Sequence, residues 1–520
     1  MRLMDETFTA YRTFTASSDL LTVSYPIADE EGKALLPSLY IQKIQDMFGL
    51  QLIPAVIDPE ELKGVSPLPY ISHPRASLAY LTSQLRGGEL SAEWRAVLAY
   101  YREDPFWASV VERIVKPIKA NAADQLREEI AEPLYGLPVS SSVSRVETYF
   151  SCPFAQYVAY GLRLEERDQY KLAAPAMGDL FHAAIKWISD EVGRLGVSWS
   201  SLSQKQCREL ANEAIQQLSP YFVNYILMSS HRYRYIQHKL EGIIRQTAFM
   251  LSRHAKVTGF APVALDVGFG GSEAIPPLDI ALKRGRKMNV RGRIDRIDST
   301  EINGKPYIRI VDYKSSKQGL DLGDVYHGLS LQTFTYLDVA LTHSDRWLGT
   351  EAEPAGVLYF HMHNPMLKLT KLMTAEEIEE EVAKSFKMNG LIVEDPDVVR
   401  AMDSDIEGYS NVIPVRMNKK GEISTSQSRT VQKDDMEMIR HFVRNKHQKA
   451  GNGILDGDTE ITPYKVKEDT PCQFCSYRSI CQFDPSDPEQ TYRKLPDLSA
   501  EKAIDLIRKE TAGDDSDKTD

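Results

Sequence analysis

At 520 residues the chain is long enough for two to four domains. Hydrophobic residues make up 42% and charged residues 26%, an ordinary globular balance, and no run of about 18 apolar residues is present to cross a membrane. The formal net charge of −11 excludes a generic nucleic-acid coat, which needs a basic surface, but allows an enzyme in which only the cleft is basic.

The opening MRLMDETFTAYRT has no apolar core of a secretory signal, and five cysteines are too few for a disulfide framework. A reducing compartment, the cytoplasm, is expected. The run LLTVSYP (20–26) reads as a buried strand with no partner strand before it, so the chain is expected to begin inside a domain. Residues 36–130 read as mostly helical, with Ser91 capping SAEWRAVLAYY. The segment EPLYGLPVSSS (132–142) is rich in proline, glycine and serine and reads as a linker. It sets the expected division: a mainly helical region over 1–135, a core domain over 136–485, and a C-terminal helix with an acidic, disordered tail over 486–520.

From Ser144 the pattern changes. A helix over 144–162 precedes a second near 177–192 and a long amphipathic one over 230–256. Strands are expected over 263–270, 289–298 and 307–315, then a helix over 329–341 and a strand over 356–362. This order predicts an α/β unit with a mixed central sheet flanked by helices.

Two of these strands carry the chemistry. In YIRIVDYKS, Ile308, Ile310, Asp312 and Lys314 share parity and leave one face. Asp312 and Lys314 therefore end an apolar face, an awkward place for charge unless something needs it. Asp295, in RGRIDRID, can approach Asp312 from the neighbouring strand. Two adjacent carboxylates repel unless a cation lies between them, and hard oxygen donors suit Mg²⁺ or Mn²⁺. Such an ion activates water and polarises a phosphate, while Lys314 orients the water and offsets charge on the phosphoryl oxygens. A bare D-x-K is more often a surface pair, so the signal is specific only in combination.

The combination resembles the RecB-type branch of the PD-(D/E)XK nucleases. G-R-I-D at 292–295 matches its first acidic motif, D-Y-K at 312–314 its second, and Gln332 with Tyr336 its Q-x-x-x-Y helix. G-D-L-F-H at 178–182 matches an upstream helix with a metal-binding histidine. The resemblance implies His182, Asp295, Asp312 and the Tyr313 carbonyl as ligands. It implies that Gln332 and Tyr336 touch the DNA backbone or brace Lys314.

Cys472, Cys475 and Cys481 form C-x₂-C-x₅-C, and Cys152 stands about 320 residues upstream in S-C-P-F. Three thiols need a fourth ligand, and spacing alone favours zinc. Cys207 has no partner spacing and reads as a bystander. The arrangement resembles the iron–sulfur staple of AddB-type nucleases, which implies a [4Fe–4S] cluster on Cys152, Cys472, Cys475 and Cys481. The stretches SVSRVETYFSCPFAQYVAYGLRLEERD and TPCQFCSYRSICQFDP resemble the C-terminal part of the AddB chains of bacterial AddAB helicase–nucleases. Residues 1–130 resemble, more weakly, the end of their helicase-like region. The family's chain is about twice this length. The likeness implies an AddA-type partner, processing of double-stranded DNA ends for homologous recombination, and digestion of the 5′-ended strand.

Two stretches suit single-stranded DNA by pairing charge with aromatic surface: KRGRKMNVRGRIDR (283–296) and HRYRYIQHK (231–239). No G-x-x-x-x-G-K-[ST] run is present to cradle a nucleotide phosphate; the Gly32–Lys33 and Gly304–Lys305 pairs lack the upstream glycine. YRTFTASSDLL (11–21) resembles the last motif of superfamily 1 motors, with Ala16 where an arginine follows the threonine. No ATPase activity of its own is expected. Two other readings stand beside an active nuclease subunit: a stand-alone nuclease of the same superfamily, and a DNA-binding scaffold whose nuclease is silent in isolation.

Overall fold

A computed structural model describes the chain except residues 1, 30–32, 54–66, 87–89, 119–124, 168–173, 222–225, 274, 317–318, 368–371, 486–489 and 517–520. Gly32 of the first G-K pair and the end of the acidic tail therefore lie outside the described residues. The chain divides into two compact units, Met1–Ala120 and Asn121–Asp520.

The first unit is helical: α1 (Arg2–Phe14), α2 (Leu39–Phe48), α3 (Pro74–Arg86), α4 (Ala92–Glu103) and α5 (Trp107–Ile118). Leu78, Leu81, Trp94, Tyr101 and Val111 form its core. Ser91 caps α4 as expected, its hydroxyl accepting the Trp94 N–H. The buried strand expected at 20–26 is not formed. These residues make no ladder, and Leu20 is 82% exposed. An apolar run becomes a strand only where another strand pairs its backbone.

The second unit opens with a correction. Residues 132–142 are not a linker: α6 (Glu128–Tyr135) leads into β1 (Val139–Ser142), a strand of the main sheet. The Leu126 N–H bonds to the Gly457 carbonyl at 2.9 Å and Glu132 pairs with Arg286 at 3.3 Å, so α6 belongs to this unit rather than to the helical one. The expected 144–162 helix is broken. It comprises α7 (Val143–Ser151), then Cys152, then α8 (Pro153–Gln156) and a π-helical turn at Tyr157–Gly161. Pro153 lacks the N–H that would continue α7. Three long helices follow: α9 (Ala174–Arg194), α10 (Gln204–Leu218) and α11 (His231–Val257).

The sheet then forms from β2 (Ala261–Phe269), β3 (Leu278–Ala281), β4 (Lys287–Ile302), β5 (Lys305–Lys314), β6 (Glu353–His361) and β7 (Asn389–Val393). Between β5 and β6 lie α12 (Leu322–His327), α13 (Gln332–Thr342) and α14 (Ser344–Leu348). Around β7 lie α15 (Ala375–Ser385) and α16 (Pro396–Met402), then the short pair β8 (Gly408–Tyr409) and β9 (Arg416–Met417), β10 (Thr430–Val431) and α17 (Lys433–Leu455). The end of the chain adds β11 (Tyr464–Lys465), α18 (Arg478–Cys481), β12 (Arg493–Lys494) and α19 (Ala500–Ser516). Helix α19 is the helix expected in 486–520, with Ala503 and Ile507 on its buried face, and it runs on to Ser516, into the tail expected to be disordered.

The main sheet runs β1-β4-β5-β6-β7-β10, with β2 and β3 on the other edge of β4. It is mixed: β4–β5 and β6–β7 are antiparallel, while β1–β4, β5–β6 and β7–β10 are parallel. One apolar core lies between the sheet and α7, α13, α17 and α19; the other lies between the sheet and α9, α10, α11 and α16. Strand β5 serves both. Ile308 and Ile310 enter the first core, Val311 and Tyr313 the second, as the alternation in sequence requires. Among the described residues no helix is long and apolar enough to cross a membrane.

Candidate active site

The site forms where β4 changes partner. Its pairing with β1 ends at Arg291, and its pairing with β5 begins at Arg296. Along this edge 292–295 have no strand neighbour, and the last β4–β5 pair is Arg296 with Val311. The next residues inward are Asp295 and Asp312, which face each other just past the end of the ladder. The Tyr313 N–H, left without a strand carbonyl, donates to Asp295 Oδ2 at 2.8 Å. A break in the sheet thus places one carboxylate where a backbone acceptor would have been.

His182 reaches the same carboxylate from α9, its Nδ1 3.2 Å from Asp295 Oδ1. Burial lowers the imidazole pKa, but the Asp295 hydrogen bond and the charges of Asp295 and Asp312 reverse this, and the net shift is upward. Asp312 is buried and its pKa is pushed up to about 6, first by burial and then by repulsion from Asp295, against the pull of Lys314. Its Oδ2 lies 2.7 Å from Lys314 Nζ as an ion pair, but accepts no well-directed hydrogen bond. Burial draws the Lys314 pKa down; Asp312 more than offsets this and keeps the ammonium charged.

Lys314 Nζ donates to Gln332 Oε1 at 2.8 Å, and Gln332 Nε2 donates to the Tyr336 hydroxyl at 3.1 Å. The two residues four apart on α13 therefore act in series, and they brace Lys314. Gly292 allows this packing. A Cβ there would lie 2.8 Å from the Phe269 ring and 3.2 Å from the Tyr336 ring. All the side chains of the expected set, His182 included, are thus brought together with the Tyr313 backbone.

A buried carboxylate oxygen without a directed donor, facing a second carboxylate, fits a hard cation. As the side chains stand, no three His, Cys, Asp or Glu groups among the described residues are close enough to hold an ion. His182 and Asp295 lie instead as mutual hydrogen-bond partners.

Cys207 is fully buried in the helix core of the second unit. Cys152, Cys472, Cys475 and Cys481 are all free thiols. A thiolate at Cys472 would push the Cys152 thiol up, and thiolates at Cys475 and Cys472 would do the same to Cys481. Residues 152 and 472 are far apart in sequence, so this proximity is a product of the fold. Burial pushes the Cys152 thiol up to about 11, which disfavours a thiolate without a cation beside it. As the thiols stand, no three of them among the described residues are close enough to hold a metal, and the iron–sulfur staple is not seen.

A scan of family descriptions matches residues 140–482 to the PD-(D/E)XK nuclease superfamily and residues 64–117 to the fifth domain of the ATP-dependent helicase/deoxyribonuclease AddB. The chain belongs to the PD-(D/E)XK nuclease superfamily. It is 51% identical to the AddB chain of the ATP-dependent helicase/deoxyribonuclease of Lysinibacillus sphaericus, across 98% of this chain and 45% of that protein. The AddB chain of Bacillus subtilis is 40% identical across 99% of this chain and 44% of its own length, and that of Listeria monocytogenes 43% across 96% and 44%. The chain is therefore homologous to AddB and spans about half the length of the curated relatives it matches.

Two features of the chain escaped the sequence. The basic run at 283–296 is mostly committed to the fold. Arg284 pairs with Glu128, Arg286 with Glu132 and Asp456, Arg293 with Asp266 and Glu273, and Arg296 with Asp298. Lys283, Lys287 and Arg291 remain exposed. The run at 231–239 keeps the surface expected of it: Arg232, Arg234 and Tyr235 are exposed at the start of α11, with Lys239 over the Tyr235 ring. The second feature is Glu147, half-buried on α7 and bonded to the N-terminus of α13. Its only trace in sequence is a lone acid, in SRVETYF.

Proposed function

We propose that the chain is a Mg²⁺- or Mn²⁺-dependent exodeoxyribonuclease that works with an AddA-type helicase partner in processing double-strand breaks. In this reading it digests the 5′-ended strand, and ATP hydrolysis belongs to the partner. The observation that carries the reading is the Asp295–Asp312 pair, with Lys314 held against it by Gln332 and Tyr336. His182, Asp295, Asp312 and the Tyr313 carbonyl would hold the cation. When bound, such an ion polarises the scissile phosphate and lowers the pKa of a bound water. Lys314, kept protonated by Asp312, offsets the charge that builds on the phosphoryl oxygens and orients the attacking water. Tyr235 and the arginines around it offer stacking and backbone neutralisation for a single strand entering the site.

Cys152, Cys472, Cys475 and Cys481 would hold a [4Fe–4S] cluster, tying residues on either side of the nuclease core. Closing so long a loop removes chain entropy from the unfolded state.

The test is digestion of DNA labelled at either end by the purified chain, with and without Mg²⁺ and with RNA as a competitor. Metal-dependent release from the 5′ end supports the reading. Binding without cleavage, also after addition of an AddA-type partner, supports a scaffold instead. Anaerobically purified Cys475→Ala protein should lose iron and visible absorbance together, and Cys207→Ala neither. Stoichiometric zinc without iron in the parent would overturn the cluster.

A further inference from the structure

Helix α13 presents Gln332 and Tyr336 to Lys314, yet its own N-terminus is not capped. Leu331 occupies the cap position, and no side chain of the helix's own N-terminal turn satisfies the first amides. Unsatisfied N–H groups buried at a helix start cost free energy and leave its first turn loose. The missing acceptor arrives from 184 residues away: Glu147 Oε1, on α7, accepts the Leu331 N–H at 2.7 Å, and the Gln332 backbone N–H also favours its charged form. The rest of α13 is fixed separately. Asp338 meets Arg440 at 2.7 Å and Arg444 at 2.6 Å, and Thr335 bonds His447 at 2.9 Å, all from α17. Without Glu147 the helix would keep its ties to α17 from Thr335 onward and lose the one at its N-terminal end.

We infer that Glu147 is a positioning residue for the nuclease centre: it caps α13 across the fold and so sets where Gln332 holds the Lys314 ammonium. A carboxylate at a helix N-terminus is also favoured by the helix dipole. Helix α7 is well placed for the task, because it starts at β1, which pairs with the β4 segment leading into Gly292, and it ends at Cys152. The inference rests on the nuclease reading above.

The test is a double-mutant cycle in the full chain with Mg²⁺ and single-stranded DNA. Glu147→Ala should lower kcat by about 10- to 100-fold and leave KM within about 2-fold, since a lost position is felt in the chemical step. Gln332→Ala should do the same, and the double variant should be no slower than the slower single one, because both act through Lys314. Glu147→Gln, which keeps an acceptor, should retain activity within about 3-fold. If the alanine variant does not fold, Glu147→Asp, whose acceptor is withdrawn by one methylene, replaces it in the cycle. Hydrogen exchange on metal-free protein gives a readout independent of activity: amides at 331–334 should exchange faster in the alanine variant while those of α17 do not. Multiplicative losses in the cycle, a change in KM rather than kcat, a Gln variant as slow as the Ala variant, or unchanged exchange at 331–334 would each overturn the inference. A parent chain without metal-dependent cleavage would overturn the nuclease reading instead, and the exchange experiment would still judge the cap.

Discussion

On one face of β4 and β5, Asp298 accepts from Arg296 Nε at 2.5 Å and from Arg309 Nε and Nη2 at 2.9 and 2.8 Å. On the other, Asp295 and Asp312 stand opposite each other with Lys314 and His182 at their side. Burial alone would push the Asp298 carboxyl up, but two guanidiniums overcome it and hold the pKa below the ordinary value. On the active-site face one cation serves two carboxylates, and Asp312 is pushed up to about 6. The same strands thus carry a charge cluster that is complete in itself and one that is not. Buried charge that is satisfied points to structure, and buried charge left short of partners points to a ligand.

Removing one carboxylate from each cluster should separate the two roles. Asp312→Ala should abolish cleavage, by about 10³-fold or more, since it removes several kcal/mol of transition-state stabilisation. Its Tm should not fall, because a repelling partner of Asp295 is gone. Cleavage assays and melting curves on the same preparation decide this, and wild-type-like cleavage would remove Asp312 from the site. Asp298→Ala should do the reverse. Two buried guanidiniums lose their counter-ion, and breaking such a cluster costs about 3–5 kcal/mol. Urea unfolding should show that loss, while the remaining folded protein keeps its kcat. A stable but inactive Asp298→Ala protein would mean that the two faces are not separate.

How much of this was legible in sequence follows from what each signal depends on. The strand parity of Ile308, Ile310, Asp312 and Lys314 is local, and the structure keeps it. The i, i+4 pair Gln332 and Tyr336 is likewise local. The error at 20–26 came from reading an apolar run without knowing whether another strand would pair with it. The supposed linker at 132–142 became α6 and β1 because its partners, β4 and the end of α17, come more than 140 residues later. The basic run misled in the same way: its acidic partners Glu128, Glu132, Asp266 and Asp456 are distant in sequence, so pairing could not be separated from a free cationic surface. Glu147 was missed because a cap supplied from another helix leaves no spacing pattern.

A smaller effect tests how tightly the active-site face is packed. Gly292→Ala places a methyl against the Phe269 and Tyr336 rings, which meet edge to face at 5.9 Å. Overpacking of this kind costs about 1–3 kcal/mol. Since Tyr336 must yield, kcat should fall as well, through Gln332 and Lys314. A melting curve shifted downward with kcat intact would mean that Phe269 moves and the Tyr336 chain does not.

The smallest effect compares the two cores through one buried histidine in each. His447 bonds Thr335 behind the active-site helix, and His254 lies edge to face with Phe360 on the other side of the sheet. Burial holds both neutral: His447 is lowered to about 4 despite Asp338, and His254 to about 3 with Arg309, Arg296 and Arg253 adding to the shift. Below pH 6.5 the unfolded chain takes up a proton that the folded chain refuses, so each contributes stability at neutral pH that is lost as pH falls from 6.5 toward its folded pKa. The slope is about 1.4 kcal/mol per pH unit per group. Raised carboxyls work against it: Glu147, pushed up to about 7, and Asp312 and Asp324, up to about 6, keep their protons in the folded state and favour it as pH falls. Total stability between pH 5 and 7 is therefore a poor readout, and the difference between variants is a good one. The stability gap between the parent and His447→Asn should narrow by about 1.4 kcal/mol for each unit below pH 6.5, because the variant has no proton to refuse. The same measurement with His254→Asn should narrow over a window reaching about one unit lower. A gap independent of pH for His447 would show that its ring is protonated or hydrated in the folded protein, and that the core behind α13 is looser than the core under α11.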